Sequence, residues 1–64
     1  MALRIGDKAV LNKDVTWDEG MMSAGTVGHV ANLIEARGEN YAVFNPEDTV
    51  EMYFVSVKSL TKSK

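Results

Sequence analysis

Few side chains in this chain could do chemistry. There is one histidine, His29, and no cysteine. Ser23, Ser56, Ser59 and Ser63 stand in no nucleophile motif, whereas nucleophilic or acid–base catalysis needs several groups held together in a cleft. Asp14, Asp18 and Glu19 are carboxylates able to approach a divalent ion, but they lack the Asp-rich spacing of a calcium loop and read as a solvated acidic loop. The stretch GTVGHV, residues 25–30, lacks the lysine and the following helix that a phosphate-cradling loop requires. His29 follows Gly28 in an expected strand and reads as a partly exposed or hydrogen-bonded side chain. These residues predict a non-catalytic protein with no metal site and no cofactor.

Recognition chemistry is better represented. TWDEGMMSAG, residues 16–25, holds the single tryptophan, Trp17, two adjacent methionines, two acids and two of the five glycines. Tryptophan is enriched where interfaces concentrate their binding energy, and methionine adapts to varied surfaces. The segment lies in a stretch, residues 13–25, that reads as a long loop, with Gly20 and Gly25 allowing sharp turns. Trp17 is expected either to cap the end of a small core or to meet a partner, and one of Met21 and Met22 to be buried and the other exposed. The candidate partner-binding residues are Trp17, Asp18, Glu19, Met21 and Met22, with Glu47, Asp48 and Glu51 as electrostatic steering groups.

Charge is placed unevenly along the 64 residues, whose formal net charge is −2. Residues 1–13 carry Arg4, Lys8 and Lys13 against Asp7. Residues 14–51 carry eight acids against Arg37, and residues 52–64 carry Lys58, Lys62 and Lys64 with no acid. The middle is therefore acidic and both ends are basic. Hydrophobic residues make up 45% and charged residues 25%, a composition that argues for a folded domain rather than disorder. Met1–Asp7 lacks the apolar core of a signal peptide, and no apolar run approaches the ~20 residues of a membrane span. A cytoplasmic protein is the expectation, and the absence of cysteine fits a reducing compartment.

The elements that would position these residues are short strands separated by Gly, Asn and Pro signals. Strands are expected at residues 8–12, 26–35, 40–44, 49–55 and 60–61, with a helical turn at 56–59. Turns are expected at Gly6-Asp7, at Arg37-Gly38-Glu39 and at Asn45-Pro46-Glu47-Asp48. Gly28 suggests a bulge or a sharp bend in its strand. A helix over residues 27–36 is the alternative, disfavoured by the glycines at its start and its β-branched residues. Val10 or Leu11, Val27, Val30, Val43, Met52, Phe54 and Leu60 are the expected core, joined by two or three of Tyr41, Phe44, Tyr53 and Phe54. No repeat or linker is visible, and residues 1–64 read as one domain.

Five short strands in so small a chain can curl into a strongly bent barrel, which hides strand edges. IGDKAVLNKDV (5–15), AGTVGHV (24–30), a hairpin and MYFVSVKSL (52–60) together resemble the SH3-like barrel superfamily. This group includes KOW-type domains, the photosystem I subunit IV barrel and the variable chain of ferredoxin–thioredoxin reductase. The shared pattern is Gly-Asp at the first strand, G-x-V-G-x-V at the second and a short helical turn before the last. The resemblance implies an all-β, five-stranded SH3-like barrel with one short 3-10 turn. It also implies that the first and last strands are neighbours, so that Arg4, Lys8, Lys58, Lys62 and Lys64 would gather on one side, and that the long loop after the first strand lines a peptide-binding side.

Two functional classes follow. The first is a small protein-binding or regulatory module, an accessory subunit or a viral inhibitor of a host protein, that docks a basic and partly apolar protein surface through the Trp17 loop. The alternative is a KOW-like module contacting RNA or the transcription and translation machinery through Arg4, Lys8, Tyr41, Tyr53, Lys58 and Lys62. Cations beside Tyr41 and Tyr53 would favour the second class, and acids there would oppose it. A structural subunit stable only within an assembly is a third reading.

Overall fold

The computed structural model describes residues 3–63. Seven strands follow one another: β1 (Lys8–Leu11), β2 (Val15–Trp17), β3 (Gly20–Met22), β4 (Val27–Ala36), β5 (Glu39–Pro46), β6 (Tyr53–Ser56) and β7 (Leu60–Lys62). One 3-10 turn, Val57–Ser59, links β6 to β7. Five strands form an antiparallel sheet in the order β6-β5-β4-β1-β7, and β2 and β3 form a separate two-stranded hairpin. Among the described residues no helix is long and apolar enough to cross a membrane.

Period-two alternation decides which side chains turn inward. Ala9 and Leu11 of β1, Ala42 and Phe44 of β5, and Val55 of β6 are buried, with Val30, Met22 and Leu60 completing the core. β4 serves two partners: its start pairs with β1, and Gly28 to Ala36, apart from Ala31, pair with β5. At the shared segment Gly28 lies opposite both Ala9 and Pro46. A Cβ at Gly28 would lie 2.8 Å from the Phe44 ring and from Pro46 Cα, and nearer still to the Asn45 carbonyl oxygen. The bare backbone at Gly28 is what lets the Phe44 ring close under the sheet.

The bulge in β4 falls at Ala31, where the register shifts between Val30 and Asn32, and not at the expected Gly28. The extra residue changes which side chains face the core. Leu33 then stands opposite buried Ala42 and packs on the core, while Asn32, opposite Val43, is exposed. Strict alternation from Val30 would have turned Asn32 inward. Residues 27–36 are strand throughout, so the helical alternative falls.

Several other boundaries differ from expectation. The segment expected as a loop at 13–25 contains the β2–β3 hairpin. The third expected strand runs on through Asn45 to Pro46, and the fourth begins only at Tyr53. Residues 47–52 form an irregular loop instead, held by the Asn45 side-chain amide. It donates to the Glu51 carbonyl at 2.7 Å and the Thr49 carbonyl at 3.2 Å. Leu11, Val30 and Leu60 are core residues as expected, whereas Val10, Val27 and Val43 are half-buried. Met52 and Phe54 are exposed, 59% and 63%, because Val55 is the β6 residue that turns inward. Of the four hairpin aromatics Phe44 alone is buried; Tyr41 and Tyr53 are half-buried.

The ends of the sheet do meet, since β1 pairs with β7. They do not build one basic face. Lys62 stands opposite Ala9, the residue after Lys8, so Lys62 and Lys8 project from opposite sides of the pleat. Lys8 pairs with Glu47 at 3.7 Å and Lys62 with Asp7 at 3.8 Å. Lys58 is exposed on the 3-10 turn, and Arg4 is tied through its backbone N–H to the Asp7 carboxylate at 2.8 Å. Lys64, also expected in this group, lies outside the described residues.

Candidate functional site: a groove between hairpin and sheet edge

The β2–β3 hairpin is fixed at its root. The Asp14 carboxylate accepts the Ala24 N–H at 2.8 Å, Leu11 N–H donates to the Thr26 carbonyl, and Gly25 N–H donates to the Leu11 carbonyl. Gly25 makes the return at φ +94°, a conformation that favours glycine. The hairpin register opposes Val15 to Met22, Thr16 to Met21 and Trp17 to Gly20. Val15, Trp17 and Met22 therefore share one face and Thr16 and Met21 the other. Met22 is buried, with 8% exposure, and Met21 stands out at 58%, which splits the methionine pair as expected. Gly20 leaves its side of the hairpin open, and the Trp17 indole lies across it.

Trp17 is neither a closed cap nor a free side chain. Its ring is 41% exposed and leans on Tyr53 of β6, with centroids 5.1 Å apart and planes tilted by 41°. The Tyr53 hydroxyl donates a hydrogen bond to the Glu51 carboxylate. That bond, with lesser contributions from partial burial and from the carboxylate charge, holds the Tyr53 phenol above its ordinary pKa. Glu51 is placed for this by the Asn45 amide on its carbonyl and by its own N–H, which donates to Thr49 Oγ1 at 3.0 Å.

Between the hairpin and β6 runs a groove of about 300 Å³. Val15, Thr16 and Trp17 form one wall, and Met52, Tyr53, Phe54 and Val55 the other. Phe54 stacks on Tyr41 of the neighbouring strand, with centroids 6.1 Å apart and planes within 18° of parallel. Acids mark the surroundings: Asp18 and Glu19 are exposed at the hairpin turn beside Trp17, and Glu51 is bonded to Tyr53. Asp18, Glu19, Asp48 and Glu51 make no ion pair among the described residues.

Of the residues expected to bind a partner, Trp17 alone lines this groove; Asp18 and Glu19 follow it at the exposed hairpin turn, and Glu51 reaches the opposite wall through its bond with Tyr53. Met21 lies on the opposite face of the hairpin, and Met22 is in the core and is no contact residue. Glu47 is engaged with Lys8, and Asp48 occupies the loop turn at φ +67°. Met52 and Phe54 are groove residues that sequence reasoning had assigned to the core. Their signal was the unbroken apolar run from Met52 to Val55, which does not say which alternate residues face out. Of the alternative nucleic-acid set, Tyr53 lies against an acid, and Lys8 and Lys62 are both paired. Tyr41 also lines a separate hollow of about 490 Å³, floored by Leu33, Val57 and Leu60 and edged by Glu35 and Lys62. His29 is exposed, between Lys8 of β1 and Asn45 of β5 in the strand registers.

No family model matches the chain, and no curated protein or solved structure matches it.

Proposed function

We propose that this chain is a small SH3-like barrel acting as a non-catalytic protein-binding module, docking a basic and partly apolar protein surface at the groove beside Trp17. The sheet order β6-β5-β4-β1-β7, with a 3-10 turn leading into the last strand, supports the barrel reading. One observation carries the docking reading: a partly exposed Trp17–Tyr53 pair in an apolar groove, flanked by acids that have no cationic partner among the described residues. Aromatic anchors supply binding energy when desolvated, and unpaired rim charges select the partner and speed its approach. Occupancy of the partner, as an accessory subunit or an inhibitor, is then the whole mechanism. The acid bonded to Tyr53 and the engagement of Lys8 and Lys62 weigh against RNA as the ligand.

Affinity capture from nuclease-treated lysate, followed by reconstitution with the purified captured protein, tests this reading. A direct complex that Trp17→Ala weakens at least about tenfold, roughly 1.4 kcal/mol, is the expected result. Capture that disappears with nuclease, or that Trp17→Ala leaves unchanged, overturns it.

A further inference from the structure

We propose that the groove takes its partner as an added β-strand: an extended peptide segment, alternately basic and apolar, laid between β2 and β6. This rests on the docking reading above and specifies its geometry. A strand that presented a face to a groove would line it with alternate residues, because successive side chains point to opposite faces. Here the wall from β6 includes the consecutive residues Tyr53, Phe54 and Val55, and the wall from β2 consists of the consecutive Val15, Thr16 and Trp17. Each wall is therefore a strand edge. Among the described residues β6 is hydrogen-bonded in the sheet to β5 alone, and β2 to β3 alone. Among the described residues no further backbone hydrogen bond reaches the residues of β2 or β6.

Natural sheets usually blunt such edges with lysine, proline, bulges or a covering segment. At the far side of this sheet β7 is three residues long and carries Lys62. β6 reads Tyr-Phe-Val-Ser, with no charge, no proline and no bulge against β5. It keeps the composition of a strand that is to be paired. Strand addition uses those free backbone groups for affinity and alternate side-chain sites for specificity.

Charge selects the occupant. Asp18 and Glu19 follow the groove residue Trp17 at the exposed turn, Glu51 is bonded to the groove residue Tyr53, and none of the three has an ion-pair partner among the described residues. A second copy of this chain would bring the same acids to the same place, and a nucleic acid would bring phosphates. An extended segment with Lys or Arg at every second position puts its cations beside these acids and its apolar side chains against Trp17 and Tyr53.

The test is selection of short random displayed peptides on the immobilised full chain, then amide hydrogen exchange of the chain with the selected peptide bound. Selected sequences should alternate Lys or Arg with apolar residues, and amides of β2 and β6 should slow by about tenfold or more. N-methylation of alternate backbone amides of that peptide should abolish binding, a change that leaves the folded chain untouched. Peptides that need Trp17 but leave β6 exchange unchanged overturn strand addition and leave the docking reading standing. No binders at all overturn strand addition alone, and binders indifferent to Trp17→Ala overturn both. Protection of β6 that grows with chain concentration without peptide makes a second copy the occupant and overturns the proposal.

Discussion

Trp17 and Tyr53 join the hairpin to the edge of the five-stranded sheet, ring against ring at a centroid distance of 5.1 Å. Because Trp17 is the single tryptophan, its fluorescence reports on this contact directly.

The three large apolar residues of the hairpin should separate cleanly on mutation. Met22→Ala empties a core position and should cost about 2–5 kcal/mol. Met21→Ala changes an exposed side chain and should stay within about 0.5 kcal/mol. Trp17→Ala gives up a partly exposed ring pair, at about 1 kcal/mol, and removes the docking anchor. Urea melts followed by circular dichroism rank the three, and equal losses for Met21 and Met22 would contradict the hairpin register.

Gly28→Ala should destabilise the fold by about 1–3 kcal/mol, since the added methyl meets the Phe44 ring and the backbone of Asn45 and Pro46. Adding Phe44→Leu should fail to restore the midpoint, because two of the three obstacles are backbone. Recovery in the double variant would place the obstruction in the ring alone.

The β4–β5 hairpin turns through Arg37 at φ +54° and Gly38 at φ +78°, between the paired residues Ala36 and Glu39. Two left-handed residues make a turn that suits Asn-Gly best. Arg37→Asn should therefore raise stability by about 0.5–1 kcal/mol, and Gly38→Ala should lower it by about 1–2 kcal/mol. Thermal melts of the pair decide it; a loss on Arg37→Asn would show that the arginine side chain contributes more than its strained backbone costs.

Tyr53 should ionise above the ordinary tyrosine value of 10.0, because its hydroxyl is bonded to the Glu51 carboxylate. The folded value is the raised one, so the stabilisation is complete below the ordinary value and fades as pH climbs through the raised one. Phenolate absorbance should show this late transition, and Glu51→Ala should bring it back down. Trp17 emission, quenched when the neighbouring phenolate forms, should follow the same curve. An unmoved transition in Glu51→Ala would show that the carboxylate is not the cause.

Much of the sheet was legible because turn chemistry and alternation agree. Lys8–Leu11 falls where the pattern puts a strand, β7 starts at the expected Leu60 but runs on to Lys62, into residues that read as a frayed tail, and Ser56 caps the 3-10 turn by accepting the Lys58 N–H. Legibility failed where a tertiary contact decides the local state. The Asn45 amide holds 49–51 out of the strand that Thr49 and Val50 would favour. The Ala31 bulge leaves no mark in composition, yet it settles the fate of Asn32 and Leu33. The hairpin was hidden because its pairing needs Gly20 beneath an indole, a packing relation rather than a propensity. At the site, the acids and Trp17 could be named from sequence; the role of Met52 and Phe54 depended on the facing of one strand.

The pairing of β1 with β7 carries a consequence for synthesis. The hairpin of β4 and β5 is local and can zip as soon as both strands have left the ribosome, but β1 must wait for Leu60–Lys62 before its outer edge is covered. Through most of translation, Ala9 and Leu11 therefore lack the strand that completes their layer. A chain cut shortly after Ser56 would keep β4 and β5 but leave the outer edge of β1 unpaired.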